Sequence, residues 1–311
     1  MGADMRVLIT PRSLTSSPHP AIQSLMARGF EVVMSPAGEL PGEAELMRLL
    51  PGCAGWIAGV EPVSVAVIAG ATDLRVISRN GTGTDNLPIE AVRRRGITVR
   101  TADGANAAGV AELAIGLMFS GLRHIPAADA GIKAGGWPRR RGREIRGCTV
   151  GVVGCGAIGR EVARLCAGLG AQVLGFDPMR PEGVPAERFA WADLAAIFAA
   201  ADILTLHCPA QKDGSPLIGA AELAAMPVGG IIVNTARASL VDEDAIIQAL
   251  DADHLTVYAT DVFAEEPPRS LVLAGHKGVI ATSHIGALTR ESVDRATEIA
   301  VANLVESLRA S

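Results

Sequence analysis

The chain has 311 residues with a formal net charge of −5; 49% of its residues are hydrophobic, 20% charged and only 3% aromatic. That length suits two domains with sizeable cores, the acidic balance argues against nucleic acid as a partner, and no apolar run approaches a membrane span. The start lacks a charged-then-apolar leader pattern. Five cysteines, Cys53, Cys148, Cys155, Cys166 and Cys208, form no C-x-x-C pair and no metal-ligand spacing. Reduced thiols, a cytoplasmic location and no metal site are therefore expected.

In chain order the pattern predicts strands at 6–10, 31–34, 55–58, 74–78 and 97–99. Helices are predicted near 21–28, 43–50, 63–69 and 89–95. Repeated strand–helix units argue for a parallel sheet with helices on both faces. A long helix follows from 107 to about 123. Val110, Leu113, Ala114, Ile115, Leu117, Met118 and Phe119 make it apolar on nearly all sides. Such a helix is expected to be buried between domains or against another subunit. The short basic cluster Arg139-Arg140-Arg141-Gly142-Arg143 reads as a solvated loop or an interface edge. Further strands are predicted at 172–176, 203–206, 230–234, 257–260 and 279–281, with a last amphipathic helix from 291 to about 308. Two α/β domains with a cleft between them follow, because ligands sit at the carboxyl ends of such strands.

The most specific local signal is 150–160, an apolar run that breaks into Gly154-Cys155-Gly156-Ala157-Ile158-Gly159 and then into a helical pattern. A chain this rich in glycine produces G-x-G-x-x-G by chance, so the context carries the argument. Here the motif follows a strand, opens a helix and precedes a second strand ending in Asp177. Gly154 permits the tight turn, Gly156 lets backbone approach a pyrophosphate, and Gly159 allows helix to pack on strand. The helix N-terminus supplies free N–H groups and a positive dipole end. Asp177 would accept hydrogen bonds from a ribose and repel a 2′-phosphate, which favours NAD over NADP.

Three later segments carry polar residues off the ends of buried strands. Asn234-Thr235-Ala236-Arg237 delivers a cation, Asp261-Val262-Phe263-Ala264-Glu265-Glu266-Pro267 carboxylates, and Ser283-His284-Ile285-Gly286 an imidazole. Downstream of a dinucleotide site, these read together as a proton-transfer site with an anion anchor.

These segments, with Gly81-Thr82-Gly83-Thr84-Asp85-Asn86 and His284-Ile285-Gly286-Ala287, resemble the NAD-dependent D-2-hydroxyacid dehydrogenases, and most nearly the phosphoglycerate dehydrogenase-like branch. The resemblance runs from about Arg6 to the C-terminus. It implies two Rossmann-like α/β domains. One is a flavodoxin-like substrate domain at 1–101 and 286–311; the other is an inserted NAD domain at 102–285 with a doubly wound parallel sheet. It also implies a homodimer built partly on 107–123, and a small 2-keto or 2-hydroxy acid as substrate. By motif position, Arg237, Glu266 and His284 match the catalytic trio. Asn80, Gly81, Thr82 and Gly83 match the loop whose N–H groups hold the substrate carboxylate. Gly154, Gly156, Ala157, Ile158, Gly159, Asp177, Cys208, Thr235, Asp261 and Gly286 fall where the family contacts NAD.

Reduction of a 2-keto acid needs a hydride at C2 and a proton at the carbonyl oxygen. The expected assignment is His284 as acid, Glu266 as the carboxylate that fixes its ring, and Arg237 as the planar fork that orients the substrate. The phosphoglycerate branch commonly carries an Arg-Ser motif for the substrate phosphate. Ala58-Gly59-Val60-Glu61-Pro62 stands in that place here, and Glu61, if it faces the site, opposes a dianion. The chain also ends at Ser311, without the regulatory domain of the long forms. From another class comes an NAD(H)-sensing corepressor-type binding protein, which would keep the same trio; against it stand the compact chain and the lack of basic arms. The formate-oxidising branch carries glutamine where Glu266 stands, and Glu266 argues against it.

Overall fold

The structure, a computed structural model, describes residues 5–17 and 19–310. Residues 1–4, 18 and 311, which the expected domain bounds include, lie outside the described residues. Along the chain run β1 (Arg6–Ile9), α1 (Arg12–Ser16), α2 (Pro20–Ala27), β2 (Glu31–Met34), α3 (Glu43–Leu49), β3 (Cys53–Ala58), α4 (Val65–Gly70), β4 (Val76–Arg79), α5 (Ile89–Arg94) and β5 (Thr98–Arg100). Next come α6 (Ala107–Leu122), α7 (Ile125–Lys133), β6 (Thr149–Val153), α8 (Ala157–Gly168), β7 (Gln172–Phe176), β8 (Phe189–Trp191), α9 (Leu194–Ala200) and β9 (Ile203–Leu206). Then follow α10 (Ala220–Ala225), β10 (Gly230–Asn234), α11 (Glu243–Asp251), β11 (Leu255–Thr260), β12 (Val279–Ala281) and α12 (Arg290–Ala310). The chain divides into two compact units, Met1–Asn106 with Thr289–Ser311, and Ala107–Leu288.

The first unit is a five-stranded parallel sheet in the order β2-β1-β3-β4-β5, the flavodoxin-like arrangement. Both of its faces are covered, which is why Val7-Leu8-Ile9 and Trp56-Ile57 read as continuous apolar runs rather than alternating ones. Leu46, Val67, Ile68 and Val92 close one face. Ala300, Val301, Leu304 and Leu308 of α12 close the other, with Leu14 and Leu25. The C-terminal helix thus completes the core of the N-terminal strands.

The second unit is a seven-stranded, wholly parallel sheet in the order β12-β11-β10-β9-β6-β7-β8. The winding reverses between β6 and β9, which makes the crevice beyond their carboxyl ends a topological switch point. Here α6 departs from expectation. Its stripe of Val110, Ala111, Ala114, Leu117, Met118 and Leu122 is buried inside its own unit, against α8, β10 and β11. Leu113, Ile115 and Phe119 lean on the same core. Small residues on the buried side (Ala111, Ala114 and Gly121) let the helix lie close, so no second domain or subunit is needed to cover that stripe. By contrast α7 buries none of its residues, and Trp137 beyond it is 80% exposed. In the basic cluster, Arg143 Nη2 pairs with Asp202 Oδ1 at 2.8 Å. All five cysteines are free thiols, four buried and Cys208 half-buried. Among the described residues no helix is long and apolar enough to cross a membrane.

Candidate active site

At the switch point of the second unit, β6 is followed by Gly154 at φ +88. A Cβ there would lie 2.6 Å from the backbone of His207 and Cys208, which follow β9. A Cβ on Gly159 would lie 1.9 Å from the Gly154 carbonyl, so the first turn of α8 packs directly on the loop. Both positions exclude any side chain. Gly156 differs: a Cβ there would meet nothing within 4 Å, and as N-cap it offers α8 no side-chain acceptor. The leading N–H groups of α8, those of Ala157 and Ile158 among them, lie beyond the reach of intrahelical acceptors and receive no side-chain cap from Gly156, which suits an anion site. Asp177, at the end of β7, takes the Cys155 N–H at 2.9 Å on Oδ2 and the Met179 N–H at 2.9 Å on Oδ1. That fixes its carboxylate beside the glycine loop, half-buried.

Two further polar atoms in this unit are buried without a partner, Thr235 Oγ1 and His207 Nδ1. His207 Nε2 is 2.8 Å from Thr205 Oγ1, and burial pushes the imidazole down to about 3, so it is neutral under physiological conditions. The open glycine loop, the uncapped helix, the fixed carboxylate and these orphaned atoms fit a bound dinucleotide.

Further along the same carboxyl edge, β10, β11 and β12 are hydrogen-bonded neighbours, and each delivers one member of the expected trio. At the end of β10, Asn234 shapes the turn: its Oδ1 accepts the Ala236 N–H at 3.0 Å and its Nδ2 donates to the Arg237 carbonyl at 2.9 Å. Arg237 emerges half-buried, its Nη1 donating to the Ala236 carbonyl at 2.8 Å. After β11, Glu266 anchors itself by accepting the Phe263 N–H on Oε1 at 3.1 Å. Its other oxygen, Oε2, lies 2.8 Å from His284 Nδ1, and both side chains remain open to solvent.

His284 sits at φ +55, in the left-handed region that non-glycine residues rarely occupy. Such a conformation persists where its surroundings over-determine it, and Asp261 does this. Asp261 is 2% exposed. Its Oδ1 accepts from Thr282 Oγ1 at 2.6 Å and Ile285 N at 2.9 Å, and its Oδ2 from Gly286 N at 2.9 Å. Asp261 and Gly286, expected as cofactor contacts, also hold each other: together they clamp the loop that carries His284. The sequence reading gave no role to Asn234 or Thr282; Asn234 signals itself as a polar residue inside an otherwise apolar buried strand, whereas Thr282, just past β12, leaves no such signal.

Asn80, Gly81, Thr82 and Gly83 belong to the first unit, where Arg79 Nε donates to the Gly83 carbonyl at 2.9 Å and Ala102 N to the Gly81 carbonyl at 2.9 Å. Glu61 turns inward, so the condition under which it would oppose a dianion is not met. It is fully buried, and its Oε1 accepts from Gly59 N at 2.9 Å and from the Thr10 hydroxyl. The buried Gly59 N–H takes Glu61 as its acceptor and would otherwise go unpaired, which favours the inward turn. A cavity of about 280 Å3 that includes His124, Arg140 and Lys277 lies at the amino ends of β11 and β12, the edge opposite to this chemistry.

Residues 115–286 match the family described as D-isomer specific 2-hydroxyacid dehydrogenase, NAD binding domain. The chain is 36% identical over 269 residues to a D-3-phosphoglycerate dehydrogenase of Rattus norvegicus, covering 85% of this chain and 50% of that protein. It is 35% identical over 258 residues to a hydroxypyruvate reductase of Thermotoga maritima, covering 81% and 83%. A solved NAD+-bound 3-phosphoglycerate dehydrogenase of Entamoeba histolytica superposes with a TM-score of 0.82 at 28% identity, over 99% of this chain and 96% of that one. The chain spans about half the length of the curated D-3-phosphoglycerate dehydrogenases it matches.

Proposed function

The chain belongs to the D-isomer specific 2-hydroxyacid dehydrogenase family, and we propose that it transfers a hydride between NAD(H) and a small D-2-hydroxy acid or its 2-keto acid. The observation that carries this reading is the His284–Glu266 pair, 2.8 Å apart, on the same sheet edge as Arg237 and the open glycine loop. Gly156, Ala157 and Ile158 are assigned to the pyrophosphate, Gly154 and Gly159 to the turn and helix packing that shape that loop, Asp177 to the ribose, and Cys208, Thr235, Asp261 and Gly286 to the remaining dinucleotide contacts. Bound NADH supplies the hydride for C2.

The chain's own residues do the rest. Glu266 occupies Nδ1 of His284, which leaves Nε2 as the nitrogen that hands a proton to the carbonyl oxygen. Glu266 also balances the imidazolium charge that the acid form carries. Arg237, with a planar fork of donors, holds the substrate carboxylate and keeps C2 in a reactive orientation. In the oxidative direction His284 takes the proton back. Asn80, Gly81, Thr82 and Gly83 are assigned to the substrate carboxylate, and the first unit to substrate binding. The substrate proposed is unphosphorylated, hydroxypyruvate or glyoxylate.

We place the protein in the cytoplasm as a homodimer, joined through 107–123 and the exposed apolar residues Ile125, Ile132 and Trp137 beyond it. The similar proteins named above are dehydrogenases and a reductase, which speaks against an NAD(H)-sensing binding protein. Consumption of NADH with a 2-keto acid tests the assignment; tight NADH binding without turnover of any 2-keto acid overturns it. Light scattering on the purified protein tests the dimer.

A further inference from the structure

The loop assigned to the substrate carboxylate is held by an arginine that the proposed chemistry does not use. Arg79 ends β4 and is 4% exposed. Among the described residues its guanidinium makes one hydrogen bond, from Nε to the carbonyl of Gly83 at 2.9 Å, while Nη1 is buried without a partner. Burying a guanidinium is costly, and the single bond that this one makes goes to the backbone of that loop.

A second carbonyl of the loop is also drawn to a buried donor: that of Gly81 accepts the N–H of Ala102, a fully buried residue, at 2.9 Å. In a planar trans peptide the C=O and the N–H that follows it point in opposite directions. With the Gly81 and Gly83 carbonyls so held, the N–H groups of Thr82 and Thr84 are turned away from those donors, and neither has an acceptor among the described residues. Alternate N–H groups released in this way suit a carboxylate, which has two oxygens to place. We propose that Arg79 is a positioning residue: by holding the Gly83 carbonyl it turns out the Thr84 N–H, which joins that of Thr82 on the carboxylate of the 2-keto acid. The proposal rests on the loop 80–83 being the carboxylate site.

The atom that matters is Nε, and two variants separate it from the charge. Arg79→Met keeps much of the side-chain length and removes every donor. Arg79→Gln also removes the charge but returns an N–H at the position of Nε. Arg79→Met should raise KM for hydroxypyruvate and glyoxylate alike, on the order of tenfold each, because both share the carboxylate and a small displacement of an orienting group is costly. Arg79→Gln should bring KM back to within about threefold of the wild-type value, since a neutral donor can remake the bond. The NADH dissociation constant, read by fluorescence, should stay within about twofold in both, because the residues assigned to the dinucleotide belong to the second unit.

If Arg79 instead met the substrate through its charge, Arg79→Gln would fare as badly as Arg79→Met, and 3-phosphohydroxypyruvate would lose more than glyoxylate. Either result overturns the proposal, as does a loss of NADH binding in step with activity. Thr82→Pro removes one of the two N–H groups and leaves Arg79 untouched. An unchanged KM in that variant means that the loop does not hold the carboxylate, and the site assignment falls together with the proposal. A KM raised in Thr82→Pro but unchanged in Arg79→Met overturns the proposal alone. Should Arg79→Met not fold, Arg79→Lys takes its place with the same expected rise in KM, because it keeps the charge but puts no N–H at the position of Nε.

Discussion

Glu266 Oε2 meets His284 Nδ1 at 2.8 Å while the His284 backbone stands in the left-handed region, so the dyad is held from two directions, by an ion-pair partner and by a strained, clamped loop. His284→Gln keeps a polar side chain of similar reach but cannot deliver a proton. The variant should fold and bind NADH as the wild type does, with kcat lower by about 10²–10⁴-fold. A wild-type kcat in steady-state assays would remove His284 from the chemistry.

Asp261→Asn separates two roles for one residue. An amide has a single acceptor oxygen, and its NH2 group would face the Gly286 or Ile285 N–H that the carboxylate now accepts. Loss of that clamp should lower stability by about 1–3 kcal/mol and release His284 from φ +55. We expect a lower melting temperature and a kcat reduced by at least about tenfold. An unchanged kcat with weakened NADH binding would mean that Asp261 serves the cofactor instead.

How far these roles were legible in the sequence depended on whether they were local. The glycine loop, its strand and Asp177 lie within one short βαβ segment, so the motif and the context that gives it meaning can be read together. The dyad was legible as two residue types at two strand ends. The clamp was not: Asp261 and Gly286 are 25 residues apart, and only the pairing of β11 with β12 brings them together. The burial of Glu61 was hidden for a similar reason, since side chains in a loop follow no period and its partner Thr10 comes from another strand end. α6 looked partnerless because its apolar residues ring the helix, yet glycine and alanine on one side let it sink into its own unit. β8, three residues at a sheet edge, is too short to leave a periodic signal.

Cofactor preference follows from Asp177. A 2′-phosphate about 4 Å from its carboxylate is repelled by roughly 1–4 kcal/mol, depending on how much water remains between them. NADH should therefore be favoured over NADPH in kcat/KM on the order of a hundredfold, and Asp177→Ala should narrow the gap. Equal use of the two cofactors by the unaltered protein would sink the assignment.

Cys208 gives a readout of the dinucleotide site that needs no turnover. Burial pushes its thiol up to about 11, so at pH 7.5 the thiolate fraction is below about 10⁻³, compared with several per cent for an ordinary cysteine. Alkylation should be slow at neutral pH, rise about tenfold per pH unit until near pH 11, and be suppressed by saturating NADH. Rapid labelling at pH 7.5 would contradict the burial of this thiol. Labelling that NADH does not slow would remove Cys208 from the cofactor contacts.

Substrate choice turns on where a phosphate could find a cation. The stretch Ala58-Gly59-Val60-Glu61-Pro62 offers none. The neighbouring Arg79 is only 4% exposed, with Nε held by the Gly83 carbonyl. Burial lowers its pKa while Glu61 and Asp85 act to raise it, and its Nη1 is buried without a hydrogen-bond partner. A charge-assisted hydrogen bond to phosphate contributes about 1.5–3 kcal/mol, and its absence should cost roughly ten- to a hundredfold in kcat/KM. Hydroxypyruvate or glyoxylate should therefore be reduced at least as efficiently as 3-phosphohydroxypyruvate in a side-by-side assay with NADH. Arg12, which stands exposed just beyond β1, is the more accessible cation to check. A clear preference for the phosphorylated acid that disappears in Arg12→Ala would make Arg12 its ligand and overturn the unphosphorylated reading.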